Sequence, residues 1–387
     1  MTTPRLLAIS LSCHEPVNRA LFREIGALDI PVHLVVPRRH FVGGQWRDTP
    51  DFPPENYELT LLDLTGTNQR THRLQGLQAV VDAFQPTHIY CDSDPASMMV
   101  RQAKKVAPNA RLWSLTAENM PQSLGIDLRK AAETRNPAGI ASALVKAWLR
   151  RSARRKVDRV LTLSKDGTAL IEAMGLTATQ VPIGFDPRLF QPLPEAERAA
   201  VRAELGLTRP VIAYFGRQTP EKGIHVLIDA LDRIRDCPWQ FLIDDFIGAS
   251  GYTAQLQAQI ERLGLSDRVT FFESRHEDMA RYMNAADIVV LPSLSTPKWK
   301  EQYGRVIQEV MACGRTIVGS RSGAIPEVMG GQGHLFDEGD VAGLAKLLGD
   351  LLDKGQYADE AARSYALANL SVNRQAEIMA GHLRAET

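Results

Sequence analysis

Residues Thr296–Gly330 read TPKWKEQYGRVIQEVMACGRTIVGSRSGAIPEVMG, and the rest of the chain is organised around this stretch. Two glutamates, Glu301 and Glu309, stand eight positions apart with Gly304 between them. Val306, Ile307, Val310 and Met311 follow helical spacing, and Gly314 ends that helix. Arg315 to Gly319 reads as a short buried strand. Ser322 and Gly323 turn the chain, and Pro326-Glu327 opens a further helix. Acid, glycine, helix, strand and glycine turn in this order mark a ligand site at a helix N-terminus. On one continuous helix the two glutamates would point roughly 80° apart. They converge on one ligand only if Glu301 lies in the loop before the helix.

A second motif, YFGRQTPEKGIHVLIDAL, spans Tyr214 to Leu231. A strand ends at Gly216, a helix begins near Gly223, and Arg217 and Lys222 lie between them. A diphosphate needs compact positive charge and free backbone N–H groups, and glycine lets both approach. Arg binds phosphate oxygens as a fork and Lys as a point charge. Alone, the pair reads equally well as a solvated loop with Glu221 as partner to one cation.

Together the strings WKEQYGRV, EVMACG and SGAIPEV resemble the Glu-x7-Glu signature of the retaining nucleotide-sugar glycosyltransferases of family 4. The resemblance implies an α/β chain of GT-B fold, with two doubly wound Rossmann-like domains facing a central cleft. It implies that Gly216, Arg217, Lys222 and the backbone amides near Gln302, Tyr303, Gly304 and Arg305 meet the donor diphosphate. Glu301 then contacts sugar hydroxyls, Glu309 the ribose, and Arg275, after a strand, the nucleobase. Glu301, Arg217 and Lys222 are the expected catalytic groups. In the first domain Glu118 stands near where family members place a catalytic-face side chain. The implied reaction is transfer of a hexose from a UDP- or GDP-sugar to a glycan, lipid-linked or small-molecule acceptor. It implies no metal and no cofactor beyond the nucleotide sugar. The other readings are a GT-B epimerase or phosphorylase, and a non-catalytic nucleotide-sugar binder.

The first half alternates apolar runs with amphipathic stretches. Strands are expected at Arg5 to Leu11, Val32 to Val36, Tyr57 to Leu62, His88 to Cys91, Arg111 to Leu115, Val160 to Ser164 and Gln180 to Ile183. The pattern restarts at Pro210, with strands at Val211 to Phe215, Gln240 to Asp244, Val269 to Phe272, Ile288 to Leu291 and Thr316 to Val318. Parallel β-α-β units follow from such alternation. The expected domains are residues 1–185, joined by a terminal helix at 373–387 packing back on them, and 186–372. The linker string VPIGFDPRLFQP carries Ile183 where the family usually has Asn.

The first domain departs further from the family. Its first loop, Ser12-Cys13-His14-Glu15-Pro16, lacks the usual glycine pair. Asp92 and Asp94 in CDSDPAS read as ligand groups or as N-cap residues. Trp46 reads as a packing residue or a sugar platform. Asp244-Asp245 stands where the family has glycine.

The chain has 387 residues and a formal net charge of zero, so no global field draws it to nucleic acid. Its four cysteines form no C-x-x-C pair and its nine histidines show no metal-ligand spacing, so neither a zinc site nor a disulfide framework is expected. The N-terminal apolar run is too short for a signal peptide, and no window has the length of a membrane span. A cytoplasmic protein is expected. Between Arg129 and Arg159 ten basic residues face two acidic ones, with Trp148 and Leu149 among them. That segment reads as a solvated helix face or as a peripheral contact with the inner face of a membrane.

Overall fold

The computed structural model describes residues 3–42, 45–66, 71–121, 124–133, 137–244, 251–273 and 278–387. The chain divides into two compact units: Met1–Gly184 with Val372–Thr387, and Phe185–Ser371.

In the first unit the strands are β1 (Leu6–Ser10), β2 (Val32–Pro37), β3 (Arg39–Val42), β4 (Gln45–Asp48), β5 (Glu58–Leu62), β6 (Leu64–Thr65), β7 (Arg73–Leu74), β8 (His88–Asp92), β9 (Arg111–Thr116), β10 (Arg159–Thr162) and β11 (Ala178–Gln180). The helices are α1 (Ala20–Ala27), α2 (Leu77–Phe84), α3 (Met98–Val106), α4 (Leu124–Glu133), α5 (Pro137–Ala153), α6 (Lys165–Ala173) and the terminal α15 (Val372–Ala385). Seven strands form one parallel sheet in the order β11-β10-β9-β8-β1-β2-β5. β1 reads LLAIS because a strand covered on both faces needs apolar residues at every position. Its side chains alternate between two cores. Leu7 and Ile9 join α2 and α3; Leu6 and Ala8 join α1 and α15. Met379, Ala380 and Leu383 of α15 bury beside Phe22 and Ile25 of α1. Gln375 Oε1 accepts the Gly184 N–H at 2.8 Å, and Glu386 accepts from Trp113 Nε1 at 3.1 Å. The terminal helix is thus part of the first unit's core.

In the second unit the strands are β12 (Val211–Tyr214), β13 (Gln240–Asp244), β14 (Val269–Phe272), β15 (Ile288–Leu291), β16 (Thr316–Ser320) and β17 (His334–Phe336). The helices are α7 (Glu195–Glu204), α8 (Ile224–Arg233), α9 (Gly251–Arg262), α10 (Met279–Ala285), α11 (Arg305–Ala312), α12 (Ile325–Met329), α13 (Val341–Lys354) and α14 (Glu360–Asn369). All six strands are parallel, in the order β14-β13-β12-β15-β16-β17. Numbered along the chain within each sheet, the second unit follows the order 3-2-1-4-5-6 and the first the same order with a seventh strand added, the doubly wound arrangement whose ligand crevice opens where the connections leaving the adjacent first and fourth strands diverge.

Three expectations need correction. Ser164 is the N-cap of α6 rather than the end of a strand, its Oγ accepting the Gly167 N–H at 3.2 Å. The strand expected at Gln180 to Ile183 lies earlier, at Ala178–Gln180. The basic segment is two helices, α4 and α5, followed by β10. The β3–β4 hairpin was not foreseen: it is polar, β4 is exposed throughout, and the apolar alternation that marks a core strand is absent. Trp46 packs edge-on against its cross-strand partner Phe41, with ring centroids 5.4 Å apart.

Candidate donor site at the switch point of the second sheet

The loop after β12 is built to turn sharply. The Tyr214 hydroxyl donates to the Arg217 carbonyl at 2.7 Å, and Gly216 takes φ +129°, which side chains avoid. Burial, with Glu301 second, raises the Tyr214 phenol well above its ordinary range, so it stays a neutral donor. Pro220–Lys222 forms one 3₁₀ turn ending at Gly223, with φ +68°. A Cβ at Gly223 would stand 1.9 Å from the Pro292 carbonyl oxygen, so glycine there lets the loops after β12 and β15 touch. The Leu294 N–H closes the contact by donating to the Glu221 carbonyl at 2.8 Å.

That contact brings Lys222 to Glu301 across 79 residues. Lys222 Nζ donates to Glu301 Oε2 at 2.6 Å, and Ser293 Oγ donates to the same oxygen at 2.9 Å. Glu301 is 5% exposed. Its backbone is gripped by the turn after β16: the Ala324 N–H donates to the Glu301 carbonyl at 3.0 Å, and a Cβ on Gly323 would stand 2.1 Å from that oxygen. Glu221 is therefore not the partner that holds Lys222. Arg217 is exposed and, among the described residues, its guanidinium has no hydrogen-bond or ion-pair partner.

Glu301 lies in the loop, as convergence of the two acids requires, and α11 starts at Arg305. Its N-cap, Gly304, takes φ +81° and supplies no side-chain cap. The first N–H groups of a helix have no partner within it, so the start of α11 offers donors together with its positive dipole end. Tyr303 contributes only backbone, because its buried hydroxyl donates to Gln308 Oε1 at 2.9 Å. Gln302 is half-buried. Glu309, inside α11, is 4% exposed. Burial raises its carboxyl above the ordinary range, and Arg305, with Nη2 at 3.3 Å, opposes that rise. Arg275 and Asp245 lie outside the described residues.

Glu118 lies in the first unit, on a cavity of about 590 Å³ at the C-terminal ends of β1, β8 and β9. Asp92 is on the same cavity, its Oδ2 accepting from Ser10 Oγ at 2.7 Å and Ser12 Oγ at 2.5 Å. Neither Asp92 nor Asp94 caps α3; Ser97 does, accepting the Val100 N–H at 3.3 Å. His14 and His40 also line the cavity, with ring centroids 4.7 Å apart, and His72 stands edge-on to His40 at 6.3 Å. Burial, then the His14 and His72 charges, lowers His40 to about 4. Sequence reading missed this cluster, whose members are spread over the segment after β1, strand β3 and the loop before β7, and missed Ser293. The only sequence signal for Ser293 is a Pro-Ser pair closing the apolar run of β15.

Residues 209–354 match the family described as Glycosyl transferases group 1. A D-inositol 3-phosphate glycosyltransferase from Mycobacterium sp. (strain KMS) is 36% identical over 179 residues, 44% of this chain and 38% of that protein. A GDP-mannose-dependent alpha-(1-6)-phosphatidylinositol monomannoside mannosyltransferase from Mycolicibacterium smegmatis is 32% identical over 219 residues, 53% of this chain and 56% of that protein. The chain thus matches little more than a third of the one relative's length and just over half of the other's. Anabaena Alr3699/HepE, solved in complex with UDP and glucose, aligns with TM-score 0.69 and 22% identity over 99% of this chain and 100% of that one. A sucrose-phosphate synthase from Thermosynechococcus elongatus aligns with TM-score 0.70 and 20% identity, over 99% and 98%. The chain has the GT-B fold, and residues 209–354 of its second unit match the model of the glycosyl transferases group 1 family.

Proposed function

We propose that the chain is a retaining glycosyltransferase that moves a hexose from a UDP- or GDP-sugar to an acceptor received by the first unit. The observation that carries this is the Lys222–Ser293–Glu301 cluster, set where the connections leaving β12 and β15 diverge and beside the uncapped start of α11. Lys222, Arg217 and the α11 amides meet the diphosphate as negative charge builds on it, which is where fixed donors lower a barrier most. Glu301 accepts from sugar hydroxyls and Glu309 from the ribose, charge-assisted contacts in both cases. The diphosphate is already a good leaving group, so no acid–nucleophile carboxylate pair is needed. The acceptor oxygen bonds to the anomeric carbon on the face from which the diphosphate departs, and a leaving-phosphate oxygen takes the acceptor proton. Neither a metal nor a further cofactor enters this scheme. A thermal-shift, hydrolysis and transfer screen against UDP-, GDP- and ADP-sugars tests it. Transfer or hydrolysis of one donor supports the reading. Tight nucleotide binding without turnover leaves a non-catalytic binder instead.

Helix α5 makes a peripheral membrane contact part of the reading. Its inner face, Lys146, Leu149, Arg150 and Ala153, lines the first unit's cavity at spacings of three and four. Its other face presents Ile140, Leu144, Val145 and Trp148, with the last three 54–57% exposed. Exposed Arg151, Arg154 and Arg155 follow within two turns. Apolar side chains beside exposed cations suit an anionic bilayer surface. No helix among the described residues is long and apolar enough to cross a membrane. Sedimentation with phosphatidylglycerol vesicles but not with phosphatidylcholine vesicles is expected, and Leu144→Asp with Trp148→Asp should abolish it. Equal recovery with both lipids, or with the double variant, removes the membrane from the scheme.

A further inference from the structure

The donor site contains one aromatic side chain that the scheme above leaves idle. Trp299 lies two residues before Glu301, in a turn closed by two backbone hydrogen bonds. The Thr296 N–H donates to the Trp299 carbonyl at 2.7 Å, and the Trp299 N–H donates back at 3.3 Å. Thr296 Oγ1 braces the same turn by accepting the Lys298 N–H at 3.2 Å. The turn is therefore a fixed mount, and the indole on it is half-buried. The Lys222 ammonium stands 4.9 Å from the indole ring centroid, over its face. So Lys222 has two partners of different kind: a carboxylate at 2.6 Å and a neutral π-face.

We propose that Trp299 is a positioning residue for the donor diphosphate, its indole face holding the Lys222 ammonium in place while that ammonium exchanges Glu301 for a phosphate oxygen. The inference rests on the donor roles proposed for Lys222 and Glu301. Those roles create a conflict that the indole resolves. Glu301 Oε2 holds Lys222 in the structure, yet with a donor bound the same carboxylate faces sugar hydroxyls and the same ammonium faces phosphate. A lysine whose only anchor is the group it must leave would lose its position when the anchor turns to another partner. A four-carbon stem with free rotors has many other places to go. The ring quadrupole attracts the cation without adding negative charge, so it does not compete with phosphate. The indole also screens one side of the ammonium from water, where a cation–π contact is at its strongest. An ammonium has three N–H donors, so contact with Glu301 and the ring face leaves capacity for phosphate.

The experiment measures UDP and GDP affinity by calorimetry for the unsubstituted protein, Trp299→Leu, Trp299→Phe, Lys222→Ala and the Trp299→Leu/Lys222→Ala double variant. Trp299→Leu should bind the preferred nucleotide about five- to thirtyfold more weakly, at unchanged melting temperature. Trp299→Phe, which keeps a π-face, should recover most of the loss. In the double variant the Trp299 substitution should add almost nothing to the Lys222→Ala loss, because the indole acts through the ammonium. Unchanged affinity in Trp299→Leu, or losses that simply multiply in the double variant, overturns the positioning role and leaves the donor site standing. Binding of neither nucleotide by the unsubstituted protein overturns the donor reading and this inference with it.

Discussion

Helices α3 and α11 occupy equivalent places in the two units. Each follows the fourth strand of a sheet whose first six strands are ordered 3-2-1-4-5-6 and starts beside the crevice where the connections leaving strands one and four part. They start in opposite ways. α3 is capped by its own sequence, with Ser97 Oγ accepting the Val100 N–H. α11 begins at a left-handed glycine with no side-chain cap, as does α8, which follows β12. The surroundings differ to match. Lys222 reaches Glu301 in the loop before α11; around the start of α3 stand Asp92 and Asp94, with Glu118, His14 and His40 on the same cavity and its cations Lys146 and Arg150 paired to Asp127. The sheet topology thus places a crevice in both units, and the loops decide its sign. A helix that leaves its first N–H groups open beside a lysine suits a diphosphate. One that satisfies its own N–H groups beside carboxylates suits a neutral, hydroxyl-bearing molecule.

The largest expected effect tests the second crevice directly. Lys222→Ala removes the cation and leaves Glu301 buried, with Ser293 Oγ still donating to Oε2. Turnover with the preferred nucleotide sugar should fall about 30- to 1000-fold, since one lost charge-assisted contact costs about 2–4 kcal/mol. Glu301→Gln, which keeps the shape and removes the charge, should fall by a similar factor. Wild-type turnover in either variant would remove the donor role from this crevice. Asp92→Asn in the first unit should leave nucleotide affinity unchanged, and a lower UDP or GDP affinity there would erase the division of labour.

Next come the glycines that shape the loops. Gly223→Ala must place a methyl 1.9 Å from a carbonyl oxygen on a backbone at φ +68°. It should cost about 3 kcal/mol by urea unfolding, and nucleotide affinity should drop with it. Gly167 in α6 has an ordinary helical φ, and its added methyl would meet the Glu118 carbonyl oxygen at 3.0 Å. Gly167→Ala should stay within about 1 kcal/mol of wild type, because helix propensity offsets the tighter contact. Equal costs at the two positions would mean that loop contact is no tighter in the second crevice than in the first.

The two crevices also respond to pH through different groups. His40 is lowered to about 4 from an ordinary 6.5. A base whose folded pKa is depressed contributes stability above its unfolded pKa, and that contribution is lost as pH falls toward the folded one. Melting temperature should therefore fall between about pH 6.5 and pH 4, and His40→Gln should flatten part of that slope; His33 and His88, also lowered by burial, keep the rest. Glu309 has the opposite sign. Its folded pKa is raised, so the carboxyl destabilises the fold as pH rises through that value. Glu309→Gln should stabilise at neutral pH, lose that gain below about pH 4.3, and weaken nucleotide binding throughout. A slope unchanged by His40→Gln would separate the histidine cluster from acid sensitivity.

Much of this architecture is legible in the sequence for a physical reason. Parallel strands buried on both faces read as unbroken apolar runs, so β1, β2, β12, β13, β15 and β16 stand out. The glycine turns stand out because no other residue takes their backbone. Glu301, Lys222 and Gly304 were readable as a motif, and so was the need for Glu301 to leave the helix. What the sequence hides is contact between distant loops. Nothing local says that Lys222 meets Glu301, that Ser293 holds the same oxygen, or that His14, His40 and His72 share one cluster. The polar β3–β4 hairpin and the α4–α5 break escaped for a different reason, because neither carries a buried periodic face.

The smallest effect is the most specific to the contrast between α3 and α11. Ser97→Ala deletes one cap, which costs about 1 kcal/mol. It also opens the start of α3, making its first turn resemble that of α11. If uncapped N–H groups alone made the nucleotide site, Ser97→Ala would give the first unit a measurable affinity for pyrophosphate. It should not. Asp92 and Asp94 stand within the same loop, and their charge repels the anion that the freed N–H groups would attract. Calorimetry with pyrophosphate on Ser97→Ala combined with Lys222→Ala isolates the first crevice. Absence of binding there shows that cations and open amides are both required, whereas saturable binding shows that the cap alone separates the two crevices.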